Sequence, residues 1–258
     1  MQVVLSIAGS DSSGGAGIQA DLKTMCAHGV YGMTAITALT SQNTTGVTSI
    51  VEAEPQFLEE QIEACLSDIP AQAIKIGMLP SVEMVDVVAR KLLQYQIENV
   101  VLDPVMVATS GSVLMRDETS ERMAEILFPL SKVITPNIPE AEVLTSKSIY
   151  GKNAMEEAAA ELGTKYNCSV LLKGGHGIKD ANDVLFDHGK ITWFEGKRID
   201  NPNTHGTGCT LSTAIACNLA LGYELKDSIP RAKEFLTRAI STDLNLGKGS
   251  GPLNHLVG

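Results

Sequence analysis

Aromatic side chains are scarce in this chain: Phe, Trp and Tyr make up 4% of 258 residues, with a single Trp. Its core must be filled by Val, Ile, Leu, Ala and Met, the usual filling of a helix-covered parallel sheet. A hydrophobic content of 44% supplies them. Positive charge is short as well. Twenty Lys and Arg stand against 30 Asp and Glu, a formal net charge of −10, which argues against an electrostatic grip on nucleic acid or an anionic membrane. Any anionic ligand has to be held by local devices: helix N-termini, glycine nests or a metal. Cysteine is sparse and unclustered. Cys26, Cys65, Cys168, Cys209 and Cys217 form no CxxC pair and the five histidines are scattered. Neither a zinc site nor a disulfide framework is expected, and a reducing cytoplasm is the expected setting. No apolar run approaches the roughly 20 residues of a membrane span. The opening MQVVLSIAGSD, with no basic residues before its apolar run, reads as a first strand and not as a signal peptide.

What the chain does have is alternation. Residues 3–8, 33–39, 73–76, 99–102, 132–134 and 169–172 read as short buried strands. Helical spacing marks residues 18–28, 82–95, 120–127, 140–144 and 154–166, and Pro55 opens a helix with Phe57, Leu58, Ile62 and Cys65 on one face. VLFDHGKITWFE has a strand–turn–strand pattern around His188-Gly189-Lys190. Residues 208–221 and 228–246 read as closing helices. The pattern predicts an α/β fold, a mainly parallel sheet with helices on both faces, in one domain over residues 1–258.

In such a sheet ligands gather beyond the carboxyl ends of the strands. Polar and glycine residues collect there: residues 9–17, Gln42-Asn43, residues 75–78, Asp103, Thr135-Pro136-Asn137 and residues 173–175. The first of these segments is not a Walker loop, because Gly15 stands where the lysine is needed. GAGIQA fits the permissive dinucleotide pattern, but no Asp or Glu occurs from Lys23 to Ile50 to bind a ribose. Four glycines within residues 9–17 predict a close backbone approach. The turn at Gly206-Thr207-Gly208-Cys209 predicts an anion site. Its glycines let successive N–H groups converge, and the helix that follows adds its positive end. A cysteine in that first turn is expected to have a lowered pKa. The plainer alternative is an ordinary helix start with Thr207 as N-cap.

NTHGTGCTLS and AGSDSSGGAGIQADLK, with LTSQNT, IKIGML, LDPVMVATSG, TPNIPEAEVL, LLKGGH and GKGSGPLNH, run in order from residue 8 to residue 255. Together they resemble the hydroxymethylpyrimidine/phosphomethylpyrimidine kinases of thiamin biosynthesis, in the ribokinase superfamily. The resemblance implies a ribokinase-like three-layer α/β/α fold, with no thiamin-phosphate synthase domain appended. It implies transfer of the ATP γ-phosphoryl group to 4-amino-5-hydroxymethyl-2-methylpyrimidine and then to its monophosphate. It further implies magnesium as cofactor and a homodimer.

Residue by residue, the resemblance puts the anion hole at the backbone of Gly206, Thr207, Gly208 and Cys209. Cys209 takes the position where many relatives carry a catalytic aspartate. Asp103 and Glu140 become the magnesium environment. Asn137, Lys173, Gly174 and Gly175, with Thr207 and Gly208, become the ATP segment. The substrate pocket falls to Gly9, Asp21, Gln42, Met78 and Val105. The Gln42 carboxamide, one donor beside one acceptor, suits an aminopyrimidine edge. Asp21, one turn into a helix, is otherwise a solvated acid. His205 and His176 flank glycine turns and are left without a role. A pyridoxal kinase on the same scaffold is the alternative activity; a non-catalytic nucleotide-binding protein and a dinucleotide oxidoreductase are the other readings weighed.

Overall fold

The computed structural model describes residues 1–106, 116–175 and 181–257. His176 and the stretch Val107 to Gly111 of the LDPVMVATSG motif lie outside the described residues. Among the described residues nine strands form one sheet in the order β3-β2-β1-β4-β5-β6-β7-β8-β9. They are β1 Val3–Asp11, β2 Tyr31–Asn43, β3 Gly46–Glu52, β4 Ala73–Ile76, β5 Val100–Leu102, β6 Val133–Ile134, β7 Ser169–Leu172, β8 Asp183–Asp187 and β9 Lys190–Phe194. The six from β2 through β7 in that order are parallel; at the edges β3 pairs antiparallel with β2, β8 with β7, and β9 with β8.

The helices are α1 Gly17–Ala27, α2 Pro55–Leu66, α3 Val82–Tyr95, α4 Asp117–Ile126, α5 Ile138–Thr145, α6 Gly151–Tyr166, α7 Thr207–Ala220 and α8 Leu225–Ile240. Strand pleating divides the core between the two faces of the sheet. Leu5 and Ile7 of β1, with Val170 and Leu172 of β7, join α2 to α6 in one cluster. Val4 and Leu171, on the opposite faces of the same strands, pack under α1, α7 and α8. The doubly covered sheet expected from the alternation is therefore present. No helix among the described residues is long and apolar enough to cross a membrane.

Several boundaries differ from expectation. β1 runs on through Gly9-Ser10-Asp11, where polarity hides a strand that still pairs with β2 at Ser10–Leu39 and Asp11–Thr40. β3 is new: it is exposed along most of its length, so it carries no inward/outward alternation to read. Helix α2 buries Leu58, Ile62 and Leu66, while Phe57 points outward. Helix α8 stops at Ile240, and the glycine-rich tail beyond it is tied to the β2–β3 turn. There the N–H groups of Lys248 and Gly249 donate to Thr44 Oγ1.

Candidate active site

The carboxyl ends of the parallel strands open into a cavity of about 780 Å³, within the range of small-molecule sites. Gly9, Gln42, Met78 and Val105 line it, as do Lys75, Asp103, Asn137, Glu140, Lys173, Gly175 and the Gly206–Cys209 turn. Two expected site residues fall behind the wall. Gly174 gives its N–H to Asp183 Oδ1 at 2.9 Å, and a Cβ on it would sit 2.0 Å from the Asn182 carbonyl oxygen. Asp21 is fully buried, neither a pocket anchor nor a solvated acid. Its oxygens are taken by Lys75 Nζ at 3.0 and 2.9 Å, Ser6 Oγ at 2.5 Å and Thr213 Oγ1 at 2.7 Å. A buried carboxylate needs such partners, and removing one side of a buried ion pair costs about 3–5 kcal/mol.

The turn before α7 is built from backbone. Gly206 is the N-cap with φ 84°, so Thr207 is the first helical residue and not the cap. A Cβ at Gly206 would lie 1.9 Å from the Gly15 carbonyl oxygen, and a Cβ at Gly15 would lie 2.3 Å from His205 Cδ2. Glycine is required at both. The close approach expected of the first glycine loop is thus made largely to other protein segments. Thr207 N–H reaches the Thr204 carbonyl at 3.3 Å, and Thr210 N–H closes the first helical bond to Gly206 at 2.9 Å. The N–H groups of Gly208 and Cys209 find no acceptor among the described residues and sit at the positive end of a 14-residue helix.

Opposite this helix end stands a charged group. Lys173 Nζ donates to Asp103 Oδ1 at 2.8 Å, and Thr135 Oγ1 donates to the same oxygen at 3.0 Å. Asp103 Oδ2 lies 3.0 Å from where a Gly208 Cβ would be, and Lys173 Nζ 3.5 Å. Glu140 closes a capping box with Asn137: Asn137 N–H donates to Glu140 Oε2 at 2.8 Å, and Glu140 N–H to Asn137 Oδ1 at 2.9 Å. Burial, reinforced by the Asp103 charge and opposed by Lys173, pushes the Glu140 carboxyl up to about 7. For Lys173, burial works against the ammonium, but Asp103 and Glu140 outweigh it and raise its pKa.

The thiol of Cys209 corrects an expectation. Burial raises its pKa and is the largest influence, so the helix dipole does not decide the outcome. The Lys75 ammonium and a hydrogen bond from the Gly17 backbone pull the other way, while Asp21 and Asp103 add to the rise. Burial works against the Lys75 ammonium too, but Asp21 outweighs it and Lys75 is held protonated.

Two further residues escape sequence reasoning. Asp11 ends β1, and its carboxylate accepts from the N–H groups of Ser13, Gly15 and Ala16 at 2.8, 3.0 and 2.8 Å. His205 Nε2 lies 2.8 Å from the same carboxylate. Burial opposes ionisation, but the bonds from His205, Ser13 and Ala16 prevail and lower the Asp11 pKa to about 2. Both residues line the cavity. Asp followed by Ser two positions on was the available signal for a side chain capping its own turn. Nothing local pairs residue 11 with residue 205.

A family model described as Phosphomethylpyrimidine kinase matches residues 11–254. The bifunctional thiamine biosynthesis protein ThiED of Geobacter sulfurreducens is 49% identical over 98% of this chain, which spans only 52% of that longer protein. The hydroxymethylpyrimidine/phosphomethylpyrimidine kinase of Haemophilus influenzae is 43% identical, with 98% of this chain and 96% of the relative covered. Among solved structures, an ADP complex of Bacillus subtilis pyridoxal kinase superposes with a TM-score of 0.90 at 38% identity, covering 99% of this chain and 97% of that one. With sequence similarity running along nearly the whole chain, and a doubly covered parallel sheet carrying a glycine-built helix end, this chain belongs to the phosphomethylpyrimidine kinase family.

Proposed function

We propose that this kinase transfers the γ-phosphoryl group of ATP to the hydroxymethyl oxygen of 4-amino-5-hydroxymethyl-2-methylpyrimidine, and then to the phosphate of the resulting monophosphate, as a step of thiamin biosynthesis. The observation that carries the reading is the juxtaposition in one cavity of the Gly208 and Cys209 N–H groups, which have no acceptor among the described residues, with Asp103, Lys173 and the Gln42 carboxamide. Phosphoryl transfer leaves the protein little covalent chemistry; positioning and charge stabilisation do most of the work. The α7 N–H groups would bind the oxygens of the migrating group, and Lys173 would add a fixed positive charge. Gln42, Met78, Val105 and the Gly9 backbone would hold the pyrimidine ring.

The Asp103–Glu140 pair suits a divalent cation. Among the described residues no three His, Cys, Asp or Glu side chains form a ready cage, and magnesium usually takes one or two carboxylates with water and phosphate. Bound there, it would neutralise phosphate charge. Cys209 stands where the alcohol proton would be taken by the thiolate form, which Lys75 favours and burial disfavours. The second transfer attacks with an oxygen that is already ionised and needs no such base.

Steady-state assays with hydroxymethylpyrimidine, its monophosphate and pyridoxal test the reading. The expected result is a higher kcat/KM on both pyrimidines. The likeness to a pyridoxal kinase supports the one competing activity, and a preference for pyridoxal would establish it instead. We further infer a cytoplasmic homodimer. Leu39 and Val51, opposite each other in the β2–β3 register and 55% and 66% exposed, form an apolar edge that a second copy would cover.

A further inference from the structure

The carboxamide of Gln42 sits between two hydrogen-bonding neighbours. Thr40 Oγ1 lies 3.0 Å from Gln42 Oε1, and His205 Nε2 lies 3.3 Å from Gln42 Nε2. The two ends of a carboxamide have the same shape and are told apart by what their partners can give or take. His205 Nε2 faces the Asp11 carboxylate at 2.8 Å. An ionised carboxylate only accepts, so this ring nitrogen carries a hydrogen and cannot accept another from an amide NH2. Thr40 has one hydroxyl hydrogen, and the Ser10 carbonyl, 2.9 Å away, can only accept it. The Thr40 oxygen therefore meets Gln42 as an acceptor. Thr40 calls for the NH2, while His205, whose one Nε2 hydrogen is directed at Asp11, has no lone pair for an NH2 and gives an amide oxygen only a shared hydrogen. Both neighbours therefore favour one arrangement, with the amide oxygen toward His205 and the NH2 toward Thr40.

We propose that His205 and Thr40 are positioning residues that hold the Gln42 carboxamide in this single orientation and so fix the donor–acceptor order that an incoming heteroaromatic amine must match. The proposal rests on the reading of Gln42 as the pyrimidine contact. One N–H and one oxygen lone pair of the amide remain for the cavity, in fixed order. A 4-aminopyrimidine edge offers a donor beside an acceptor; its 4-oxo counterpart, protonated on the ring, offers the reverse.

The test compares kcat/KM for 4-amino-5-hydroxymethyl-2-methylpyrimidine and its 4-oxo counterpart. The protein as it stands should prefer the amine by about tenfold or more, the discrimination expected of one good bidentate contact. His205→Leu and Thr40→Val should each bring the ratio toward one. His205→Gln, which can place an N–H near the Nε2 position, should keep it. A general loosening of the loop lowers turnover of both substrates and leaves the ratio alone, so an unchanged ratio in the Leu and Val variants overturns the proposal. Nuclear Overhauser contacts give a readout free of activity. The Gln42 NH2 protons should lie near the Thr40 methyl; finding them against the His205 ring overturns the orientation whatever the enzyme turns over. If the expected contacts appear but neither pyrimidine is phosphorylated, the positioning stands and the proposed function falls.

Discussion

Two glycine-rich segments run into helices here, and they have opposite fates. In the first, after β1, the N–H groups of Ser13, Gly15 and Ala16 converge on the Asp11 carboxylate. That loop carries its anion with it. In the second, before α7, the N–H groups of Gly208 and Cys209 are left without a protein acceptor among the described residues. A converging set of backbone donors makes an anion site whichever anion fills it, so glycine content alone does not tell a filled nest from an open one. What separates them is whether a carboxylate precedes the turn at the right spacing. Asp11 does; the residues before Gly206 are Asn203, Thr204 and His205.

The largest effect should come from closing the open nest as the other is closed. In Gly208→Asp the new carbon would lie 3.0 Å from Asp103 Oδ2, so a second carboxylate is forced against the first, beside the N–H groups at the start of α7. Turnover should fall by about a thousandfold or more, since losing a single such donor already costs roughly a hundred- to a thousandfold. Near-normal turnover, with melting behaviour unchanged, would contradict the assignment of this turn.

Emptying the filled nest should act on stability. Asp11 is held at about 2 against an ordinary 3.8. A depressed carboxylate contributes stability above its unfolded pKa and loses it as pH falls through the folded one. Asp11→Asn should therefore lose about 2 kcal/mol at neutral pH, and its gap to the parent should narrow as pH drops from 3.8 toward about 2. Urea midpoints at pH 7 and pH 3 check this; a gap independent of pH would sink it.

Glu140, raised to about 7, has the opposite sign. The folded chain binds this proton more tightly than the unfolded one, so Glu140 itself favours folding less as pH rises above its ordinary 4.5. If magnesium binds at Glu140 as proposed, it takes the ionised form, so its affinity should increase through about pH 7 with release of a proton. Calorimetric titrations of magnesium in buffers of different ionisation heat measure that proton, and Glu140→Gln should abolish it. The smallest effect belongs to Cys209→Ala, expected to slow the first phosphorylation by about tenfold to a hundredfold, at or below the low end for a positioned base, and the second less. Equal losses in both steps would remove the proton-acceptor role.

The parallel strands and the α7 helix end were legible because each shows in local pattern: short apolar runs stop at polar or glycine residues. β3 was not, since an exposed edge strand has no buried face to imprint on the sequence. The cavity lining was legible where a polar residue closes a strand, as with Gln42 and Asp103. Legibility failed where burial or distant pairing governs. Asp21 looks like a solvated acid until Lys75, 54 residues away, closes on it. The Cys209 expectation erred by weighing the dipole of α7 without the desolvation around the thiol. His205 depends on Asp11, 194 residues earlier, a pairing that exists only once β1 and α7 meet.

That meeting point is made of backbone, because a Cβ at Gly206 would lie 1.9 Å from the Gly15 carbonyl oxygen. The two loops are thus locked at one spacing by atoms that every amino acid shares. Side chains on either rim can be exchanged without altering this backbone contact, and on the proposed function the place where phosphate is delivered then stays put. Specificity in this scaffold can drift while its reach stays constant, and only a change at the glycines themselves would alter the reach.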